Sequence, residues 1–137
     1  MQEQRTRLSP AEKIARAREA YEAFSQGDLQ KVAESWTEGI TWHLRGSTRY
    51  GGDHHGRDAI FQLLSQLPQD FDEFKLEIHD ILANDQHVVA LLNQTAVRHG
   101  ETYSGPVVHV HHVDDEGMID ETWFVTDTEQ LKWALER

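Results

Sequence analysis

The sequence predicts an α+β fold, formed by a single domain over residues 1–137. Apolar residues recur at helical spacing in the first part of the chain. From about Phe74 onward, segments with strand-like patterns follow one another and are separated only by short polar turns. Helices that precede an antiparallel meander indicate an α+β fold, because a parallel sheet needs helices that alternate with its strands.

The first helix carries a complete start signal. Ser9, Pro10 and Glu12 supply an N-cap, a proline in the first turn and the acid of a capping box. Gly27 ends the helix. One face is apolar, at Ile14, Ala17, Tyr21 and Phe24.

Two more helices are predicted before the meander. A short one follows Asp28 and ends before Gly39, and its inner side consists of Leu29, Val32, Ala33 and Trp36. The other covers Asp58 to Leu67 and ends at Pro68. A strand rich in β-branched and aromatic residues, Ile40 to Leu44, lies between them and leads into a glycine-rich loop.

Four strands and a closing helix follow. Residues alternate from Phe74 to Leu82, with a slip near Asp80 that predicts a β-bulge. Short turns then separate the remaining elements, which are predicted as strands His87–Arg98, Thr102–Val113 and Met118–Val125 and a helix over Asp127–Arg137.

Charge and composition exclude several classes of protein. With 13 basic and 24 acidic residues the formal net charge is −11, which disfavours nucleic acid and anionic membranes as partners. Cysteine is absent, so disulfides, thiolate catalysis and cysteine-based zinc sites are excluded. No apolar run approaches the roughly 18 residues of a membrane span. The polar N-terminus lacks the pattern of a secretory signal, and we expect a cytoplasmic protein.

Histidine is unusually frequent, with nine residues. His43 and His109 stand out because each lies among apolar residues in the middle of a predicted strand. A buried imidazole requires a hydrogen-bonding partner or a polar cavity. The residues alone leave two interpretations open, a functional histidine and one that is satisfied structurally. Strand alternation places His111 on the same face as His109.

A metal site is the alternative chemistry for these histidines. His109, His111 and Glu116 resemble the HxH…E ligand pattern of cupins, but Glu116 falls in a predicted turn. We therefore predict no metal and no other cofactor.

Several segments, taken together, resemble the nuclear transport factor 2-like superfamily, and specifically its SnoaL-like and ketosteroid isomerase-like members. The matching segments are AYEAFSQGD (20–28), ITWHLRG (40–46), YGGDHHGRDAI (50–60) and DDEGMIDETW (114–123). The resemblance covers nearly the whole chain. It implies a mostly antiparallel, strongly curved sheet that wraps the N-terminal helices into a cone around an apolar cavity.

The resemblance also assigns positions within this cavity. The catalytic base of the isomerases lies three residues before a glycine, where Gly46 places His43. Their protonated acid lies ten residues before the isoleucine of a Gly-x-Ile motif, where Ile119 places His109. The oxyanion tyrosine of the isomerases has Ala20 in its place. Limonene epoxide hydrolases carry an Arg-x-Asp where this chain has Gln94 and Ala96, so that reaction is disfavoured.

The expected function is proton transfer on a small apolar metabolite that contains a carbonyl group, by an isomerase, a cyclase or a dehydratase. His43 would be the general base, and His109 would donate a hydrogen bond to the enolate oxygen or return the proton. The candidate cavity walls are Tyr21, Phe24, Tyr50, His54, Phe61, Leu64, Leu92, Gln94, His111 and Phe124. The alternative is a non-catalytic ligand-binding or dimerisation module. The resemblance further implies a homodimer formed through the outer face of the sheet.

Overall fold

The computed structural model describes residues 7–136, which form five helices and one six-stranded sheet. The helices are α1 (Pro10–Ser25), α2 (Leu29–Ala33), α3 (Arg57–Leu64), α4 (Leu67–Asp70) and α5 (Thr128–Leu135). The strands are β1 (Trp36–Leu44), β2 (Gly52–His55), β3 (Glu73–Ala83), β4 (His87–Arg98), β5 (Glu101–Val113) and β6 (Ile119–Val125). The predicted α+β fold is confirmed.

The sheet has the strand order β2-β1-β6-β5-β4-β3. Strands β3 to β6 form the predicted antiparallel meander, and β1 joins it by pairing in parallel with β6. The predicted irregularity near Asp80 is present as a register shift between Ile78 and Asp80. This arrangement brings β1, β5 and β6 side by side.

The start of α1 is confirmed in atomic detail. The Ser9 hydroxyl accepts a hydrogen bond from the Glu12 amide, and the Glu12 carboxylate accepts one from the Ser9 amide at 2.9 Å. A cap of this kind typically contributes about 1 kcal/mol to helix stability. It fixes the beginning of the helix that carries Tyr21.

Three element boundaries differ from the prediction. Trp36 begins β1 instead of ending the second helix, because α2 stops at Ala33. The predicted loop before the third helix contains β2, an edge strand whose polar sequence GDHH carries no apolar alternation. The third helix ends at Leu64, and Pro68 lies in the first turn of α4, where a missing amide proton is tolerated.

The register of the sheet defines which side chains face the helices. One row of cross-strand neighbours contains Leu44, Phe124, His109 and Ala90, and the adjacent row contains Trp42, Thr122, His111 and Val88. Both rows are on the inner face, packed toward the core that includes Ala17, Ile40 and Ile60. Among residues 7–136, no helix is long and apolar enough to cross a membrane.

Candidate active site

A cavity of about 160 Å³ lies between the inner face of the sheet and the helices. Its walls are almost wholly apolar, and none of its described lining residues carries a carboxylate, an ammonium or a guanidinium group. The lining residues are Ala17, Ala20, Tyr21, Phe24, Val32, Ser35, Trp36, Trp42, Leu44, Tyr50, Leu63, Leu64, Leu67, Phe74, Leu76, Gln94, His109, His111, Ile119, Thr122, Phe124, Thr126 and Leu131.

Tyr21 connects two histidines at the wall of this cavity. Its hydroxyl lies 2.8 Å from His109 Nδ1 and 2.9 Å from His111 Nε2. The other ring nitrogen of His111, Nδ1, lies 2.7 Å from the Thr122 hydroxyl. The contacts join α1 to β5 and β6. Each of these buried imidazoles therefore has a hydrogen-bonding partner.

Burial keeps all three titratable groups of this network neutral. Desolvation lowers the pKa of His109 to about 3, with a smaller contribution from His111. It lowers the pKa of His111 to about 4 and raises the pKa of Tyr21 above its usual value. At neutral pH the cavity therefore presents uncharged hydrogen-bonding groups.

Aromatic rings hold the network in place. The His109 ring packs edge-on against Phe124, with centroids 4.8 Å apart, and stacks on Tyr21 at 5.8 Å. Phe124 in turn contacts Trp42 edge-on at 4.9 Å, and Trp42 contacts Trp36 at 5.4 Å. These contacts give a ligand rigid apolar walls beside the Tyr21–His109–His111 network.

His43 is not in the cavity, contrary to the prediction from the resemblance. Trp42 and Leu44 line the cavity, so strand alternation directs the intervening side chain to the outer face of the sheet. There His43 Nδ1 lies 2.7 Å from Asp53 and Nε2 lies 2.6 Å from Glu121. It also stacks on Trp123, with ring centroids 5.6 Å apart.

The outer-face contacts of His43 favour its charged form. Ionised carboxylates only accept hydrogen bonds, so both ring nitrogens donate to them, and the imidazolium has no free lone pair. The hydrogen bonds to Asp53 and then to Glu121 raise the pKa of His43, which favours this form. His43 therefore connects β2, β1 and β6 as a surface ion-pair residue.

The other predicted wall residues divide into two groups. The structure places Tyr21, Phe24, Tyr50, Leu64, Gln94, His111 and Phe124 along the cavity. His54, Phe61 and Leu92 do not line it. His54 Nε2 instead donates to the Tyr50 carbonyl at 2.9 Å. Leu92 is buried in the hydrophobic core, and Phe61 is half-buried and packs against that core. Both side chains therefore take part in helix–sheet packing.

Several residues that line the cavity were not predicted from the sequence. Thr122 is the most important of them, because it contacts His111. Alternation along β6 puts Thr122 on the same face as Phe124, and the β5–β6 register sets it opposite His111. Trp123, between Thr122 and Phe124 on β6, lies on the outer face with 38% of its surface exposed. Strand alternation along β1 likewise puts Trp42 on the same face as Leu44, so the one residue predicts the other as a cavity wall.

The cupin-like metal hypothesis is wrong in its ligand set. Glu116 is exposed in the turn between β5 and β6, whereas His109 and His111 are buried with Tyr21. Among residues 7–136, no three potential ligand side chains meet in a metal-binding arrangement.

Solved structures with the same architecture identify the fold. An NTF2-like protein of unknown function from Burkholderia pseudomallei K96243 is 22% identical, with a TM-score of 0.83 over 91% of this chain and 98% of its own. An LEH-like epoxide hydrolase from M. tuberculosis is 20% identical, with a TM-score of 0.74 over 93% and 92% of the two chains. A protein from Jannaschia sp. CCS1 described as a SnoaL-like polyketide cyclase is 14% identical, with a TM-score of 0.78 over 98% and 97%. The fold is that of the NTF2-like proteins.

The family follows from the sequence itself. The model of the SnoaL-like domain family matches residues 17–122, from the middle of α1 into β6. The chain belongs to the SnoaL-like domain family, as the resemblance predicted. No curated protein sequence matches it significantly.

Proposed function

We propose that this protein binds a small apolar organic molecule in its cavity and that a carbonyl group of this molecule contacts His109. The observation that carries the proposal is the neutral Tyr21–His109–His111 network at the wall of an apolar cavity. His109 Nδ1 is used by Tyr21, while its Nε2 makes no hydrogen bond to any residue in the described range 7–136. Nε2 is the atom that His109 offers to a ligand.

The composition of the cavity supports an uncharged ligand. Transfer of a charged group from water into these walls would lack a compensating ion pair and would be strongly unfavourable. An apolar scaffold gains free energy from burial against Phe24, Trp42 and Phe124, at about 25 cal/mol per Å² of apolar surface removed from water. A single carbonyl group then fixes its orientation.

Binding can be tested with a panel of cyclic ketones, enones and β-dicarbonyl compounds. Isothermal calorimetry or ligand-observed NMR with the unmodified protein should detect saturable binding of at least one member. His109→Gln should weaken it, whereas His43→Gln, on the other face of the sheet, should leave it unchanged. Equal loss in both variants would contradict the assignment of the site.

A second candidate function is an enzyme that catalyses proton transfer next to the bound carbonyl. It is favoured by the placement of a hydrogen-bonding network where negative charge would develop on an enolate oxygen. Two structural neighbours are described as an epoxide hydrolase and a polyketide cyclase, so the same fold carries catalysis elsewhere. The cavity has no carboxylate among its described lining residues, and burial lowers the pKa of His109 and His111, so its imidazoles are weak proton acceptors. For that reason binding is the first proposal.

Hydrogen–deuterium exchange at the ligand carbon separates the two candidates. Each ligand that binds is incubated with protein in D₂O, and its gain in mass is followed over time. Exchange above the buffer rate that disappears in His109→Gln would establish an enzyme. Binding without exchange would identify a binding module.

We also propose that the protein is a homodimer formed through the outer face of the sheet. A row of neighbours on this face includes Trp123, Val110, Val89 and Leu82, of which Trp123 and Leu82 are 38% and 50% exposed. Adjacent exposed apolar residues on one face are typical of an interface. Sedimentation velocity at micromolar concentration tests this proposal, and a monomer would contradict it.

A further inference from the structure

The hydrogen bonds of the cavity form a chain of four side chains. Thr122 Oγ1 lies 2.7 Å from His111 Nδ1, His111 Nε2 lies 2.9 Å from the Tyr21 hydroxyl, and that hydroxyl lies 2.8 Å from His109 Nδ1. His109 Nε2 ends the chain at the cavity. The positions of the protons along the chain decide what this last atom offers.

Only two arrangements of protons satisfy all three contacts and also use the Tyr21 hydroxyl proton, because a Tyr21 oxygen that accepted from both histidines would leave its own O–H without an acceptor. A neutral imidazole carries one N–H, and the threonine and tyrosine hydroxyls carry one O–H each. In the first arrangement Thr122 donates to His111, His111 to Tyr21 and Tyr21 to His109, so that both histidines are protonated at Nε2. In the second arrangement every hydrogen bond is reversed, and both histidines are protonated at Nδ1.

Thr122 distinguishes the two arrangements. Its side chain is 1% exposed, and within residues 7–136 its hydroxyl has no hydrogen-bond partner other than His111. When Thr122 donates to His111, its only proton is used. In the reversed arrangement the Thr122 hydroxyl proton is buried without an acceptor, and an unsatisfied buried donor is unfavourable.

We infer that Thr122 fixes the direction of the chain, so that His109 presents an Nε2–H donor to the cavity. The ligand that this donor selects carries an uncharged hydrogen-bond acceptor without a proton of its own, as in a ketone. An alcohol of the same shape accepts from the same donor but must also pair its own O–H, for which the apolar part of the wall offers no acceptor. The ligand class rests on the proposed function, whereas the direction of the chain stands on the contacts alone. Thr122 is a positioning residue, three hydrogen bonds from His109 along the chain.

Nitrogen-15 NMR of the full chain with labelled histidine tests the direction without any ligand. Long-range ¹H–¹⁵N correlation spectra identify the protonated nitrogen of each imidazole. Signals are assigned to individual rings by comparison with His109→Gln and His111→Gln. We expect both His109 and His111 to be protonated at Nε2. Protonation of His109 at Nδ1, whichever nitrogen of His111 is protonated, would overturn the inference, even if no variant of Thr122 folds.

Variants of Thr122 test whether this residue sets the direction. Thr122→Ser keeps the hydroxyl and should keep both Nε2–H tautomers, whereas Thr122→Val removes it and should give signals from both arrangements. Thr126→Val is the matched control, since Thr126 also lines the cavity but lies outside the chain. An unchanged spectrum in Thr122→Val would show that another group sets the direction.

The ligand class is tested with cyclohexanone and cyclohexanol, which have nearly the same size. The unmodified protein and Thr122→Ser should bind the ketone about tenfold more tightly, as expected from one unsatisfied donor, and Thr122→Val should lose most of this preference. Equal affinity for the two compounds in the unmodified protein would overturn the ligand class. If neither compound binds, the proposed function fails for these ligands, and the NMR result still decides the direction of the chain.

Discussion

His43 and His109 lie on opposite faces of the same sheet. The inner row that contains His109 continues through Phe124 to Leu44, and His43 precedes Leu44 by one residue on β1. Because side chains alternate along a strand, this single step places His43 outside the cavity. The two histidines consequently have opposite electrostatic properties. Contacts with carboxylates raise the pKa of His43, and burial lowers the pKa of His109 to about 3.

The first prediction concerns the contribution of His43 to stability. A raised folded-state pKa means that the folded protein binds the proton more tightly than the unfolded chain. The contribution of His43 is therefore complete below the unfolded pKa of about 6.5 and is lost as pH rises through the folded value. His43→Gln should lower the free energy of unfolding by about 1 kcal/mol at pH 5.5, the upper end for exposed ion pairs. Urea unfolding over pH 5.5–9 measures the difference.

The partners of His43 supply the control for this prediction. Asp53→Asn removes one hydrogen-bonded carboxylate and should reproduce part of the effect, with the same loss at high pH. If the loss in free energy of unfolding caused by His43→Gln grows as the pH rises, His43 is not an imidazolium in the folded protein.

The buried histidines predict the opposite dependence on pH. The folded-state pKa values of His109 and His111 are lowered to about 3 and about 4, so below pH 6.5 the unfolded chain binds more protons than the folded protein. Stability should fall on acidification through this window, by at most about 1.4 kcal/mol per pH unit for each histidine.

Denaturant unfolding between pH 4 and pH 7 checks this acid sensitivity. His111→Asn and His109→Gln should each reduce the slope, because each removes one site of proton uptake. His99→Gln is the control, since His99 is exposed in the β4–β5 turn. If the dependence of the free energy of unfolding on pH is unchanged in both His109→Gln and His111→Asn, these histidines do not cause the acid sensitivity.

The third prediction tests the hydroxyl that joins the two histidines. Tyr21→Phe keeps the ring and the shape of the cavity but leaves His109 Nδ1 and His111 Nε2 without their partner. We expect destabilisation by about 1–3 kcal/mol, the range for buried groups left unsatisfied. Urea unfolding at pH 7 measures it.

Tyr103→Phe is the matched comparison. The Tyr103 hydroxyl donates to Glu101, an exposed residue, at 2.9 Å. Water can replace the lost donor at Glu101, so this variant should be destabilised less than Tyr21→Phe. Equal effects in the two variants would show that the Tyr21 contacts contribute no more than one hydrogen bond to an exposed carboxylate.

The fold was predictable because most of its elements have a local signal. The capping box at Ser9 and Glu12 and the alternation on β3 specify structure over a few residues. β2 escaped prediction because its pairing with β1 involves backbone groups, and its polar side chains carry no alternating pattern. Trp36 was misassigned because its burial is compatible with either a helix or a strand.

The site was predictable only in part, because it depends on register between distant strands. Strand alternation correctly placed His109 and His111 on one face. Counting three residues back from Gly46 located His43, but the side of the sheet it occupies is set by the pairing of Leu44 with Phe124 on β6. A register shift of one residue would move every side chain of β1 to the opposite face of the sheet. The sequence of β1 does not specify this register. Thr122 was missed for the same reason.

The fourth prediction concerns the proposed dimer. Trp123→Arg introduces a charge at one end of the outer apolar row and should convert a dimer into a monomer at micromolar concentration. Sedimentation velocity measures the change, and near-UV circular dichroism checks that the fold is retained. Glu22→Arg, an exposed position on α1, is the control. A dimer that persists in Trp123→Arg would place the interface elsewhere.

The fifth prediction fills the cavity without touching its polar network. Ala20 lines the cavity from α1, and Ala20→Leu adds three carbon atoms to a space of about 160 Å³. The added side chain occupies volume that a ligand needs, so affinity should fall by at least about tenfold, which corresponds to about 1.4 kcal/mol. Stability should change little or rise, because leucine suits a helix and removes empty space.

Ala59→Leu on the exposed side of α3 makes the same change outside the cavity and should leave binding intact. Calorimetric titration of both variants with a ligand that the unmodified protein binds decides the matter, since undiminished affinity in Ala20→Leu would mean that the ligand occupies another site.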